Sequence, residues 1–107
     1  MQVFVCRDAL EVGHISAKFV AESLRASDVP VLGLATGSSP LGLYAELARM
    51  IREEGLNLRG AHGFALDEYV GIPREHPESY HAVIHRTVTE PLGMDPANAV
   101  SYTHLRA

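Results

Sequence analysis

"VLGLATGSSPLGLYAEL" occupies residues 31–47. An apolar run stops at Thr36 and Gly37, two serines and a proline follow, and an apolar stripe with helical spacing begins. The stretch "VPVLGLA" (29–35) reads as a strand buried on both faces, as a parallel sheet requires. Pro40 stands at the expected first helical position, after Ser39. Leu43, Tyr44, Leu47 and Ile51 give one face of a helix over about 40–54, and Gly55 sits just past its end. A helix N-terminus offers free backbone N–H groups and a partial positive charge. Small residues let an anion approach those groups, and Ser or Thr hydroxyls add donors. Thr36, Gly37, Ser38 and Ser39 therefore suit a phosphate. They do not form a Walker A loop, because no Lys follows a second Gly, and their glycine spacing is not the dinucleotide fingerprint. A small phosphorylated metabolite fits better than a nucleotide. A purely local reading, with Ser39 capping the helix and Gly37 making the turn, explains these four residues equally well.

The flanking sequence repeats the alternation. "QVFVC" (2–6) reads as a short strand. Asp8 and Glu11 have capping-box spacing, and Val12, Ile15, Phe19, Val20 and Leu24 form a stripe that predicts a helix over about 9–26, slightly weakened by Gly13. "GFALDE" (63–68) reads as a third strand, "YVGIPREHPES" as a turn-rich loop, and "SYHAVIHRTVTEPL" as helical until Pro91. The order β-α-β-α-β-α implies a parallel sheet with crossover helices. The expected fold is α/β, a Rossmann-like three-layer domain with a mostly parallel sheet. Three strands leave an edge exposed, so the reading is of an incomplete domain, its N-terminal half, over residues 1–100, followed by an atypical tail, "SYTHLRA" (101–107), of foreign or truncated character.

Composition narrows the function. The 107 residues are 47% hydrophobic, enough for a core, and carry a net charge of −4 with scattered basic residues. Nucleic acid is disfavoured, because phosphate backbones are held by clustered Lys and Arg. No apolar stretch approaches the roughly 18 residues of a membrane span, and the start lacks the features of a secretory signal. The single cysteine, Cys6, lies in an apolar run and reads as a buried thiol in a reducing compartment. The chain reads as soluble and cytoplasmic.

A second motif, "LDEYVGIP" (66–73), puts Asp67 at the end of an expected strand. Ligands of open α/β sheets bind outside the carboxyl ends of the strands, so this loop and residues 36–39 should open on one edge. A carboxylate beside a sugar phosphate can move a proton from a carbon next to a carbonyl. The plainer reading makes Asp67 and Glu68 a solvated strand end. His81 and His85, four apart, would share a helix face, but no third ligand stands at metal-site spacing, and packing or surface roles are favoured over zinc.

Together, "LGLATGSSPLGLY" and "FALDEYVGIPREHPESYHAVIHR" closely resemble the glucosamine-6-phosphate deaminase family, over residues 2 to about 99. The resemblance implies ring opening, isomerisation and hydrolysis of glucosamine 6-phosphate to fructose 6-phosphate and ammonia. It implies that Thr36, Gly37, Ser38 and Ser39 hold the phosphate. It makes Asp67 the base that carries a proton from C2 to C1 through an enediol-type intermediate, with Tyr69 and Tyr80 lining the pocket. No metal or organic cofactor is implied, and the full-length enzyme is expected to be a homo-oligomer. The family's ring-opening aspartate, histidine and glutamate, and its later phosphate-binding Arg and Lys, have no counterpart here. The alternatives are a 6-phosphogluconolactonase-like enzyme, of similar fold, and an inactive phosphate-binding or self-associating fragment. An Arg after the Asp-Glu pair would favour the lactonase, whereas Tyr69 and "HPESY" favour the deaminase.

Overall fold

The computed structural model describes residues 1–101. Helix α1 (Ala9–Arg25) precedes strand β1 (Val31–Leu34), helix α2 (Leu41–Glu54) and strand β2 (His62–Ala65). Helix α3 (Tyr80–Ile84) runs on into a π-helical turn (His85–Thr89), and a 3-10 turn (Pro96–Asn98) leads to strand β3 (Ala99–Ser101). The strands pair in parallel in the order β1-β2-β3. The expected α/β class and parallel sheet are therefore present, but one strand is not where the sequence put it. Residues 2–6 form no strand, and Val3, Phe4 and Val5 are exposed. A strand exists only through a ladder partner; the sheet's third strand is instead Ala99–Ser101. Phe4 rests against the Phe19 ring, with centroids 5.5 Å apart, and Cys6 is half-buried rather than buried. All of the expected tail except Ser101 lies outside the described residues.

The core lies on one face of the sheet. Leu34 and Ala65 point into a cluster with Tyr44, Leu47 and Met50 of α2, Ile84, Val88, Leu92 and Met94. Strand neighbours alternate faces, so Val31, Gly33 and Phe64 point the other way, and all three are exposed. The expectation that β1 is buried on both faces is thus corrected: among the described residues, helices cover one face of β1 only. Two of the expected three layers are accounted for.

Helix α1 has nearly the expected bounds but buries a different stripe. Val12 and Phe19 are exposed, while Gly13, Ala17, Ala21 and Leu24 are buried. The reason is a close crossing with α2: a Cβ on Gly13 would stand 2.9 Å from the carbonyl carbon and oxygen of Gly42. Small side chains are what such an approach admits. The Asp8 carboxylate accepts the Glu11 amide at 2.9 Å. Glu11 does not complete the capping box; it accepts the Arg7 amide and side chain instead. Glu46, nearly buried on α2, is paired with Arg49 at 2.6 Å and lies 3.4 Å from His14, joining the two helices. The Arg49 guanidinium holds the Glu46 carboxyl below its ordinary range.

Pro40 is the N-cap of α2 rather than its first helical residue, and no side chain caps this end. Ser39 therefore does not act as the cap that the local reading proposed. The Pro40 carbonyl accepts the Tyr44 amide at 3.0 Å, and α2 ends at Gly55.

Candidate functional site

The site begins with register. Leu34 and Ala65 are paired at the ends of β1 and β2. Adjacent strands stand about 4.8 Å apart, so the chain leaves the sheet twice, side by side, at one carboxyl edge. The loop of Thr36, Gly37, Ser38 and Ser39 follows the first exit. Asp67 follows the second, two residues past the end of β2 rather than within it. Asp67 is exposed and not turned into the core.

The first loop is held at its root by Tyr44. Its hydroxyl accepts the Ala35 N–H at 3.0 Å and donates to the Ala35 carbonyl at 2.8 Å. Burial pushes the Tyr44 hydroxyl's pKa up, against the opposing effect of the Ala35 hydrogen bond. From sequence Tyr44 belongs only to the apolar face of α2, and its hold on the loop appears only in the structure. The signal available was the residue type, because a buried tyrosine needs a partner for its hydroxyl. Since Ala35 is exposed and water can replace the lost hydroxyl, Tyr44→Phe is expected to cost only about 1 kcal/mol. Denaturant unfolding checks that figure; a loss near zero would mean that the clamp does not restrain the loop.

Beyond the clamp the loop opens. Thr36 is half-buried, while Gly37, Ser38 and Ser39 are exposed. Gly37 takes φ +92°, the left-handed region that a side chain disfavours. The amides of Gly37, Ser38 and Ser39 donate to no protein acceptor among the described residues. They precede a 14-residue helix whose first turn carries no acidic residue. The arrangement can receive an anion on backbone N–H groups.

The second loop is held by Glu68. Its Oε1 accepts the amides of Tyr69 at 3.0 Å and Tyr80 at 2.8 Å, and its Oε2 accepts the His81 amide at 2.9 Å. Glu68 is half-buried, so the reading of a solvated strand end fails for it. The Tyr80 hydroxyl donates to the Tyr69 hydroxyl at 3.2 Å, and the two rings lie 4.7 Å apart. Tyr69 is held above its ordinary pKa, first by its hydrogen bond with Tyr80, with Glu78 and Asp67 adding like-charge repulsion.

The rest of the turn-rich motif organises backbone. Ser79 is fully buried; its hydroxyl accepts the Ala82 amide at 3.0 Å and donates to the Arg74 carbonyl at 2.9 Å. His76 Nδ1 accepts the Glu78 amide at 3.0 Å, and Arg86 donates to the Pro77 carbonyl at 2.8 Å. His81 and His85 line a cavity of about 410 Å³ with Arg74 and Thr89. Among the described residues, no group of three or more His, Cys, Asp or Glu side chains could hold a metal ion, and no helix is long and apolar enough to cross a membrane.

No protein-family model matches the chain. The glucosamine-6-phosphate deaminase of Bifidobacterium longum (strain DJO10A) is 52% identical over 96 residues, which is 90% of this chain and 36% of that protein. The deaminase of Cutibacterium acnes is 47% identical over 98 residues, 92% of this chain and 38% of that protein. Among solved structures, a monomeric glucosamine-6-phosphate deaminase of the NagB superfamily superposes with a TM-score of 0.89 at 31% identity, covering 94% of this chain and 42% of its own. A 6-phosphogluconolactonase-like protein of Neisseria gonorrhoeae superposes with a TM-score of 0.67 at 22% identity, a likeness of fold alone. The chain spans just over a third of the length of the curated relatives it matches.

Proposed function

We propose that this chain, a homologue of the N-terminal part of the glucosamine-6-phosphate deaminases, supplies the phosphate cradle and the proton-transfer base of an amino-sugar-phosphate deaminase. The observation that supports the reading is the in-register exit of β1 and β2, from which the loop of residues 36–39 and the exposed Asp67 both follow at one carboxyl edge of the sheet. The substrate's phosphate would sit on the amides of residues 36–39, with the hydroxyls of Thr36, Ser38 and Ser39 as further donors. The sugar would then extend toward Asp67. In the opened sugar, Asp67 takes the proton from C2 and returns it to C1. The aldose becomes a ketose-level imine, and water releases ammonia and leaves fructose 6-phosphate. One carboxylate suffices, because the two carbons are adjacent and the proton moves along one face. Tyr69 and Tyr80 form a wall of the pocket. Ring opening belongs to residues that have no counterpart among these 107. A homo-oligomer of the full-length enzyme in the cytoplasm is part of this reading. The monomeric state of the solved relative argues that the chemistry does not depend on self-association.

Titration of the chain with glucosamine 6-phosphate, followed by amide NMR, tests the cradle. The amides of residues 36–39, Leu41 and residues 66–69 should shift together, and Gly37→Val should weaken binding about tenfold, because a side chain at this φ costs roughly 1–2 kcal/mol and crowds the donors. Affinity unchanged by Gly37→Val would remove the loop from the phosphate site.

A further inference from the structure

We propose that Glu68 is a positioning residue for this site, an inference that rests on the deaminase reading: its carboxylate ties the loop after β2 to the start of α3 and thereby fixes Asp67 and the Tyr69–Tyr80 pair at the rim. Three amides converge on this one side chain. One belongs to Tyr69 in the loop itself, and two belong to Tyr80 and His81, 12 and 13 residues away in sequence. Asp67 is its immediate neighbour in the chain. The loop between Tyr69 and Ser79 is therefore closed by Glu68 at its base and by the two tyrosine hydroxyls above.

Ser79 already caps α3 through the Ala82 amide, so Glu68 is not needed to start the helix. It accepts the next two free amides, which water could otherwise serve. What water cannot do is hold the residue after Asp67 in a set direction. Hydrogen bonds to a charged acceptor are short and strong, and several on one carboxylate fix its orientation. The tyrosine ring contact depends on the same closure, because Tyr69 and Tyr80 are each bonded to Glu68 Oε1 through the backbone.

The two carboxylate oxygens have different partners, and this sets the test. In Glu68→Gln the side-chain oxygen can keep the Tyr69 and Tyr80 amides, while the NH2 group meets the His81 N–H, donor against donor. In Glu68→Ala all three acceptor contacts go. Amide hydrogen exchange and ring-to-ring nuclear Overhauser contacts, measured on the 107-residue chain, read both variants. Glu68→Ala should speed exchange at Tyr80 and His81 by about tenfold or more and abolish the Tyr69–Tyr80 ring contacts. Glu68→Gln should speed exchange at His81 alone and retain the ring contacts. A residue that only stabilised α3 would let the ring contacts survive in Glu68→Ala, and that result overturns the proposal. Parent-like exchange at His81 in Glu68→Gln overturns it equally. Neither readout needs substrate, so these results stand apart from whether the chain takes a sugar phosphate.

Discussion

Asp67→Asn is expected to lower ammonia release from glucosamine 6-phosphate by about 10²–10⁴-fold, the usual contribution of a general base, while the affinity for the sugar phosphate changes by no more than a few-fold. The chain supplies only the part that aligns with its relatives, so turnover is measured in a chimera. The 96 aligned residues of the Bifidobacterium longum enzyme are replaced by the matching stretch of this chain. Asparagine keeps the size of the side chain and removes its ability to take a proton. The split between unchanged binding and lost turnover follows from the proposed division of roles, in which residues 36–39 carry the phosphate and Asp67 carries the proton. Turnover within a few-fold of the parent would exclude Asp67 as the base. Hydrolysis of 6-phosphogluconolactone without ammonia release would favour the lactonase instead.

Gly13→Ala is expected to destabilise the chain by about 1–3 kcal/mol, the cost of overpacking a close contact. Local reasoning alone gives the opposite sign. Alanine in a helix interior is favoured over glycine by roughly 1 kcal/mol, so from sequence Gly13 is a weak point in α1. The structure reverses this, because the added Cβ would meet backbone atoms of Gly42 at 2.9 Å rather than the end of a flexible side chain. One of the two helices must move, and the contact of Glu46 with His14 across them moves with it. Denaturant unfolding of the two chains decides the matter. A variant more stable than the parent would show that α1 and α2 do not cross so closely.

The parts of the fold legible in the sequence are those in which local and tertiary demands agree. Strand β1, its small-residue loop and helix α2 form one such run, because the apolar run, the proline and the helical stripe each mark the same boundaries. That the two candidate loops leave one edge of the sheet was legible for a related reason: both motifs follow strand ends, and parallel pairing brings strand ends to one edge. The misread parts depend on partners far along the chain. Residues 2–6 have the composition of a strand, but composition supplies no ladder. Val12 and Phe19 are louder apolar signals than Gly13, Ala17 and Ala21, yet the crossing with Gly42 selects the quiet stripe. The short strand Ala99–Ser101 is fixed by its pairing with β2, and nothing in "ANAVS" announces it. Glu68 reads as an exposed acid because the amides it serves lie a dozen residues downstream. Tyr44 reads as core because its polar end meets a backbone nine residues upstream.

Solvent deuterium exchange is the most direct measurement of the central claim. A base that lifts the C2 proton holds it for a moment beside water, and some of it is lost to solvent before delivery to C1. The chimera incubated with glucosamine 6-phosphate in D2O should place deuterium at C2 of recovered substrate or at C1 of fructose 6-phosphate, and its Asp67→Asn form should bind the sugar and incorporate none. Deuterium entering these positions at the parent rate with asparagine in place would contradict the account.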